Sequence, residues 1–343
     1  MIVRYLDTLG HSRTGIENEN FVLLKGNGSD LLDTKSQKGR AKRKHVTKEL
    51  VKQMILIATE KKEDQFLPSL WNIYRCQSKV HVSNGRIYGK YCGSHVCSVC
   101  NANRKAEMIE KYYPIIDEWT DTYHVVLTSK SVSYKHLKKH IDETFETFKK
   151  IKDLHRKQFQ RGKVTFPLMG IKTVECEFNP QKRWYNPHIH LIVSCEEAAI
   201  FLKREWVKRW PEKHAQPWAQ HIGKINSTEK GIIEVLKYGT KVFSEFDKKE
   251  KGKHIPKQVY PRAHYNIYKA FRNRRLFDRF GFNLPPEFKP DIEPTLTNDF
   301  EEYEYDTKIN NWISIETQEP IFSYIPDANI EHMLYDCMNS ELE

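Results

Sequence analysis

No run of about eighteen apolar residues occurs in this 343-residue chain, so a membrane-spanning helix is not expected. Met1 to Gly10 hold a single basic residue and lack the apolar stretch and small-residue cleavage site of a secretory signal, which points to a cytoplasmic protein. The seven cysteines are an odd number, which argues against a disulfide framework, and no internal repeat is evident. Positive charge nearly vanishes at the carboxy-terminal end, where residues 285–343 carry fifteen Asp and Glu against two Lys.

An apolar fraction of 39% with 12% aromatics supplies a real core. The length suits one large domain or two modest ones of roughly 100 to 200 residues. The net charge of +11 understates the basicity: with −13 confined to 285–343, residues 1–284 carry +24. Such a field draws in a polyanion, and nucleic acid is the commonest polyanion a cytoplasmic protein meets.

Residues 1–48 show little periodicity and a basic run (Lys35, Lys38, Arg40, Lys42, Arg43, Lys44), so a disordered basic arm is expected. A helix is predicted from near Thr47 to Lys62, and Val80–Tyr91 reads as a hairpin turned by Asn84-Gly85. Helices are predicted over 104–113, 134–154, 198–210 and 230–243, and over the basic stretch 265–280. Strands are predicted over 123–129, 170–178, 188–194 and near 221–225. The two strands around Asn-Pro-Gln-Lys-Arg-Trp-Tyr-Asn-Pro form an antiparallel pair, and the acidic end reads as a solvated tail.

His188 and His190 bracket one residue of a strand, so both imidazoles share a face. The facing strand offers Glu175 and Glu177, with Glu175 preferred as third ligand of a divalent-metal site for Mg²⁺ or Mn²⁺. Glu234 and Tyr238 stand four apart on a predicted helix, flanked by Lys237 and Lys241. A nearby metal and cations favour a tyrosine phenolate, a competent nucleophile. Cys92, Cys97 and Cys100 crowd nine positions, and with Cys76 as fourth thiolate, or His95 or His81 in its place, they predict a structural Zn²⁺.

In this order the motifs resemble the plasmid rolling-circle replication initiators, single-tyrosine members of the HUH endonuclease superfamily. The resemblance spans Trp71 to Gly281 and starts with the cysteine segment ending at Arg104. It continues through a strand ending in Leu127-Thr128 and a long helix with Ile141-Asp142 and Phe148. Asn186-Pro187-His188-Ile189-His190 is similar to the family's metal motif, Glu234-x-x-Lys237-Tyr238-x-x-Lys241 to its nicking motif, and Arg274-Arg275-Leu276 to the basic segment that follows.

The resemblance implies an α+β fold: a central antiparallel sheet carrying the His-x-His metal site, flanked by helices and preceded by a zinc-stabilised segment. Composition sets off a basic arm (1–48) and an acidic tail (285–343); between them a helical Cys-rich zinc segment (49–118) and an endonuclease domain with a basic C-terminal helix (119–284) are what the resemblance implies. It further implies that Tyr238 nicks one strand of plasmid origin DNA, single-stranded or hairpin, through a 5′-phosphotyrosine. The nick leaves a 3′-hydroxyl primer, and Glu234 serves in termination. Lys237, Lys241, Arg272, Arg274 and Arg275 would hold DNA, and host helicase and DNA polymerase would be partners. The alternatives are a related tyrosine transposase or relaxase, and a non-catalytic zinc-containing DNA-binding regulator. A relaxase usually places its histidines after the tyrosine, the reverse of the order here.

Overall fold

A computed structural model describes residues 22–24, 39–237, 260–285, 295–297 and 299–326. They form an α+β protein that divides into two compact units. The first draws on Met1–Lys52, Asp64–Cys100 and Lys289–Ala328; the second on Gln53–Glu63, Asn101–Phe288 and Asn329–Glu343.

The helices are α1 (Arg40–Glu60), α2 (Leu67–Tyr74), α3 (Ser98–Asp117), α4 (Tyr134–Gln160), α5 (Glu196–Arg209), α6 (Thr228–Lys237) and α7 (Pro261–Phe271). The strands are β1 (Val22–Leu24), β2 (Lys79–Ser83), β3 (Arg86–Gly89), β4 (Tyr123–Thr128), β5 (Gly170–Asn179), β6 (Trp184–Val193), β7 (His221–Lys224), β8 (Phe277–Phe280), β9 (Thr295–Thr297), β10 (Glu301–Asp306) and β11 (Asn311–Ser314).

In the first unit an antiparallel sheet runs in the order β11-β10-β2-β3, and β1 pairs separately with β9. Asn84 and Gly85 both take positive φ, 51° and 68°, the backbone a tight two-residue hairpin needs between β2 and β3. Two expectations are corrected here. The expected arm does not extend to residue 48, because α1 begins at Arg40; residues 1–21 and 25–38 lie outside the described residues. Arg40 and Lys44 are only 2% and 1% exposed, the first donating to Gln77 Oε1 (3.0 Å) and the second to the Tyr74 carbonyl (2.9 Å). These bonds replace the water that a solvated arm would keep. Nor is the acidic segment simply a solvated tail: β10 pairs with β2 (Tyr303↔Val80) and with β11 (Tyr305↔Trp312). Tyr305 joins Trp312, Phe322, Val80 and Ile87 in a buried cluster, while Glu301 and Glu304 stay exposed.

The second unit is built on an antiparallel sheet in the order β7-β4-β6-β5-β8. One face carries Val125, Leu127, Val174, Ile189, Leu191 and Val193, covered by helices. Helix α4 buries Leu137, Ile141, Thr144, Phe148 and Ile151, a 3–4 residue spacing that makes one stripe. Trp206 of α5 is fully buried and donates its indole N–H to the Thr128 carbonyl (2.8 Å). On the opposite face Ile171 and Ile192 pack with Tyr112 and Ile116 of α3 and with Ile232 and Val235 of α6. A ten-residue helix is marginal by itself, and burying two such side chains, at roughly 1.5–3 kcal/mol each, is what holds α6 on this face.

The basic stretch is a further correction. Helix α7 stops at Phe271 instead of running to 280, Asn273 turns the chain with φ of 61°, and β8 follows, pairing with β5. Gly281 closes this corner at φ 78°, where a Cβ would strike the Leu168 carbonyl.

Candidate metal centre

Antiparallel register brings the site together. Glu175 of β5 lies opposite His188 of β6, and Thr173 lies opposite His190. On the other flank of β6, Thr128 and Val126 of β4 lie opposite the same two histidines. Cross-strand partners share a face, so the carboxylate and both imidazoles sit on the side of the sheet that α3 and α6 cover. Glu175 Oε2 is 3.7 Å from His188 Nε2 and 3.6 Å from His190 Nε2. All three residues are buried, and one ligand atom from each falls within a 4.8 Å group.

The imidazoles are oriented from behind. His188 Nδ1 donates to the Asn186 carbonyl at 2.9 Å, which turns the lone pair of Nε2 toward Glu175. His190 Nδ1 lies 3.3 Å from His124 Nε2, and the two rings stack at 5.5 Å with their planes 9° apart. His221 of β7 meets His124 edge-on at 5.7 Å. The Thr173 hydroxyl, buried opposite His190, has no hydrogen-bond partner among the described residues.

Ligands about 2.1 Å from a four- to six-coordinate ion stand about 3.0–3.4 Å apart. The 3.6–3.7 Å spacing therefore fits a divalent cation with a small inward movement. Two imidazoles beside one carboxylate suit a transition-metal ion such as Mn²⁺ better than Mg²⁺. Glu177, the other carboxylate of that parity, is exposed and stands outside the group.

Helix α6 contains Glu234 and Lys237, but their side chains, with all of Tyr238 and Lys241, fall outside the described residues. Arg272, Arg274 and Arg275 lie in the α7–β8 turn. Arg274 pairs with Asp142 and Arg275 with Asp278, on the side of the sheet away from Glu175.

A second cluster lies in the first unit. Cys100 Sγ is 3.5 Å from Cys76 Sγ and 3.5 Å from Cys92 Sγ, and Cys97 Sγ is 3.7 Å from Cys76 Sγ. Four thiolates bound tetrahedrally at about 2.3 Å would stand about 3.8 Å apart, so the set fits zinc. The Cys92 N–H points at Cys76 Sγ (3.4 Å). Hydrogen bonds from Cys76, Cys92 and Cys97 push the Cys100 thiol far below its usual range. His81 instead packs on Phe300, and neither it nor His95 joins the cysteine group.

Sequence reasoning missed His124, His221 and Trp218. The first was legible, since alternation from Tyr123 to Thr128 puts His124 on the parity opposite the buried Tyr123, Val125 and Leu127. Trp218, 84% exposed, sits in a short turn (Pro217–Ala219). The next residue, Gln220, bonds the Thr128 N–H at 2.8 Å, at the level of His188. Among the described residues no helix is long and apolar enough to cross a membrane. Comparison of the chain with protein-family models, curated proteins and solved structures finds no match.

Proposed function

We propose that this protein is a plasmid rolling-circle replication initiator, a metal-dependent tyrosine endonuclease that nicks one strand of origin DNA. The observation that carries the reading is the convergence of Glu175, His188 and His190 on the sheet face against which α6 packs, the helix that leads directly into Tyr238. A divalent ion held by these three residues would polarise the scissile phosphate and offset the charge growing on its oxygens.

In the proposed reaction the Tyr238 oxygen loses its proton and attacks phosphorus in line. The P–O3′ bond breaks, giving a 5′-phosphotyrosine and a 3′-hydroxyl that primes synthesis. Glu234, four residues before Tyr238 in the sequence, acts as base for the water that ends the cycle, and the stored ester bond allows strands to be rejoined. Lys237 and Lys241 contact neighbouring phosphates, and Trp218 offers a ring on which an unpaired base can stack. Arg272, Arg274 and Arg275 add salt-sensitive backbone contacts farther from the reacting centre. The zinc cluster holds the small first unit, and helicase and polymerase would be recruited to the nicked origin.

The test incubates the protein with a labelled single-stranded library of randomised hairpins and Mn²⁺, then separates products on a denaturing gel. A covalent adduct lost in Tyr238→Phe and in His190→Ala is expected. Retained DNA binding without any adduct would move the assignment to a non-catalytic zinc-containing DNA-binding regulator. An adduct formed only at transposon-end or transfer-origin hairpins would move it to a related tyrosine transposase or relaxase.

A further inference from the structure

Away from the Glu175 face, α4, β5, β8 and the α7–β8 turn enclose a cleft of about 550 Å³. Its positive lining is Lys149, Lys152, Lys172, Arg274 and Arg275; its negative lining is Asp142, Glu146 and Asp278. The three carboxylates are each engaged: Asp142 by Arg274 and by Lys138 (2.6 Å), Glu146 by Lys150 (3.9 Å) and Asp278 by Arg275 (3.5 Å). The surplus charge rests on Lys149, Lys152 and Lys172.

Lys172 is the unusual member. It is 5% exposed, on β5, and its ammonium lies over the rings of Phe145 (5.1 Å) and Phe148 (5.8 Å). Among the described residues it has neither an ion-pair partner nor a hydrogen-bond acceptor. Burial, partly offset by Asp278 and reinforced by Lys152 and Arg275, pushes its pKa down to about 8. A nearly buried ammonium that no described side chain pairs is costly, and an anion bound in the cleft would offset that cost better than water does. Lys152 stands beside it, over Phe148 at 5.6 Å.

We propose that this cleft is a phosphate-binding site, in which Lys172 at the floor and Lys149 and Lys152 at the rim take the phosphate of a nucleotide or of a nucleic-acid strand. Three uncommitted cations match a phosphate better than a single carboxylate. The volume lies within the roughly 300–1,000 Å³ of small-ligand sites, enough for a nucleotide-sized group. The site does not depend on the nicking reaction, and it gives Arg274 and Arg275 a place in the fold that the metal face does not.

The test uses the full-length, zinc-loaded protein in chloride buffer without added divalent ion. Three probes are used: inorganic phosphate, a deoxynucleoside monophosphate and a short single-stranded oligonucleotide lacking a terminal phosphate. Binding is read by calorimetry and by the shift in melting temperature. Wild type should bind at least one probe. Lys172→Met should weaken that binding at least tenfold while melting no lower than wild type without ligand, and Lys172→Arg should restore part of it. Binding of phosphate and the mononucleotide identifies a free nucleotide as the source; binding of the oligonucleotide alone identifies a strand backbone. If Lys172→Met does not fold, Lys149→Gln with Lys152→Gln, at the rim, serves instead. No binding of any probe by wild type, or equal binding by wild type and these variants, overturns the proposal.

Discussion

Replacing Lys172 with Met should stabilise the ligand-free protein, and by an amount that depends on pH. The side chain is 5% exposed, and its pKa falls from 10.5 to about 8, first because burial removes water from the ammonium. Each pKa unit is worth about 1.4 kcal/mol, so keeping Lys172 protonated in the folded state costs about 3 kcal/mol at pH 7. The sign follows from linkage. With the folded pKa below the unfolded one, the penalty is complete below pH 8 and fades as pH rises toward 10.5. It should be about 2 kcal/mol at pH 9 and under about 1 kcal/mol at pH 10. Methionine keeps the apolar contacts with Phe145 and Phe148 but loses the ring–cation attraction, about 0.5–2 kcal/mol. The net gain expected at pH 7 is therefore about 1–3 kcal/mol. Urea titrations at pH 7, 8 and 9, followed by hydrogen exchange at the β5 and β6 amides, would measure it where the residue sits. A loss of stability at pH 7, or a gain that does not shrink with pH, would refute the argument from burial.

Three further outcomes are expected. Elemental analysis should find zinc bound to the first unit, and Cys97→Ser or Cys100→Ser should abolish both the metal and that unit's fold. Structural zinc supplies about 10–16 kcal/mol in small domains, as much as a whole domain's stability. His190→Ala should weaken Mn²⁺ binding by more than roughly a hundredfold and His124→Phe by roughly ten- to a hundredfold, read by electron paramagnetic resonance; a silent His124→Phe would remove it from the site. Trp218→Ala should lower affinity for single-stranded DNA by roughly ten- to a hundredfold without changing the salt slope, with Trp218→Phe recovering most of it. Equal affinity for all three proteins would deny Trp218 any stacking role.

What was legible in the sequence was local. Asn84-Gly85 announces its turn, the strand around His188 and His190 shows its parity, and Cys92, Cys97 and Cys100 show their crowding. What was not legible depends on partners far along the chain. Arg40 and Lys44 form a buried helical turn because Gln77 and the Tyr74 carbonyl, more than twenty-nine residues on, accept their protons. Without those acceptors the same run would be a solvated arm. Glu301–Asp306 places Tyr303 and Tyr305 two apart, a strand signal that its charge obscures, and the pairing of Tyr303 to Val80 joins residues 223 apart.

The strand β5 shows how much a single register decides. Ile171, Thr173 and Glu175 share one face, with Ile192, His190 and His188 opposite them on β6, while Lys172 and Val174 turn to the other. A slip of one residue would bring Lys172 to the metal side and send Glu175 among Phe145 and Phe148. Fully buried Ile171 and Ile192 on one face, and Val174, Ile189 and Leu191 on the other, prevent that slip. The same apolar contacts that stabilise the sheet therefore set where both candidate sites lie. Any substitution that loosens them should weaken metal and phosphate binding together, although neither Ile171 nor Ile189 supplies a ligand atom.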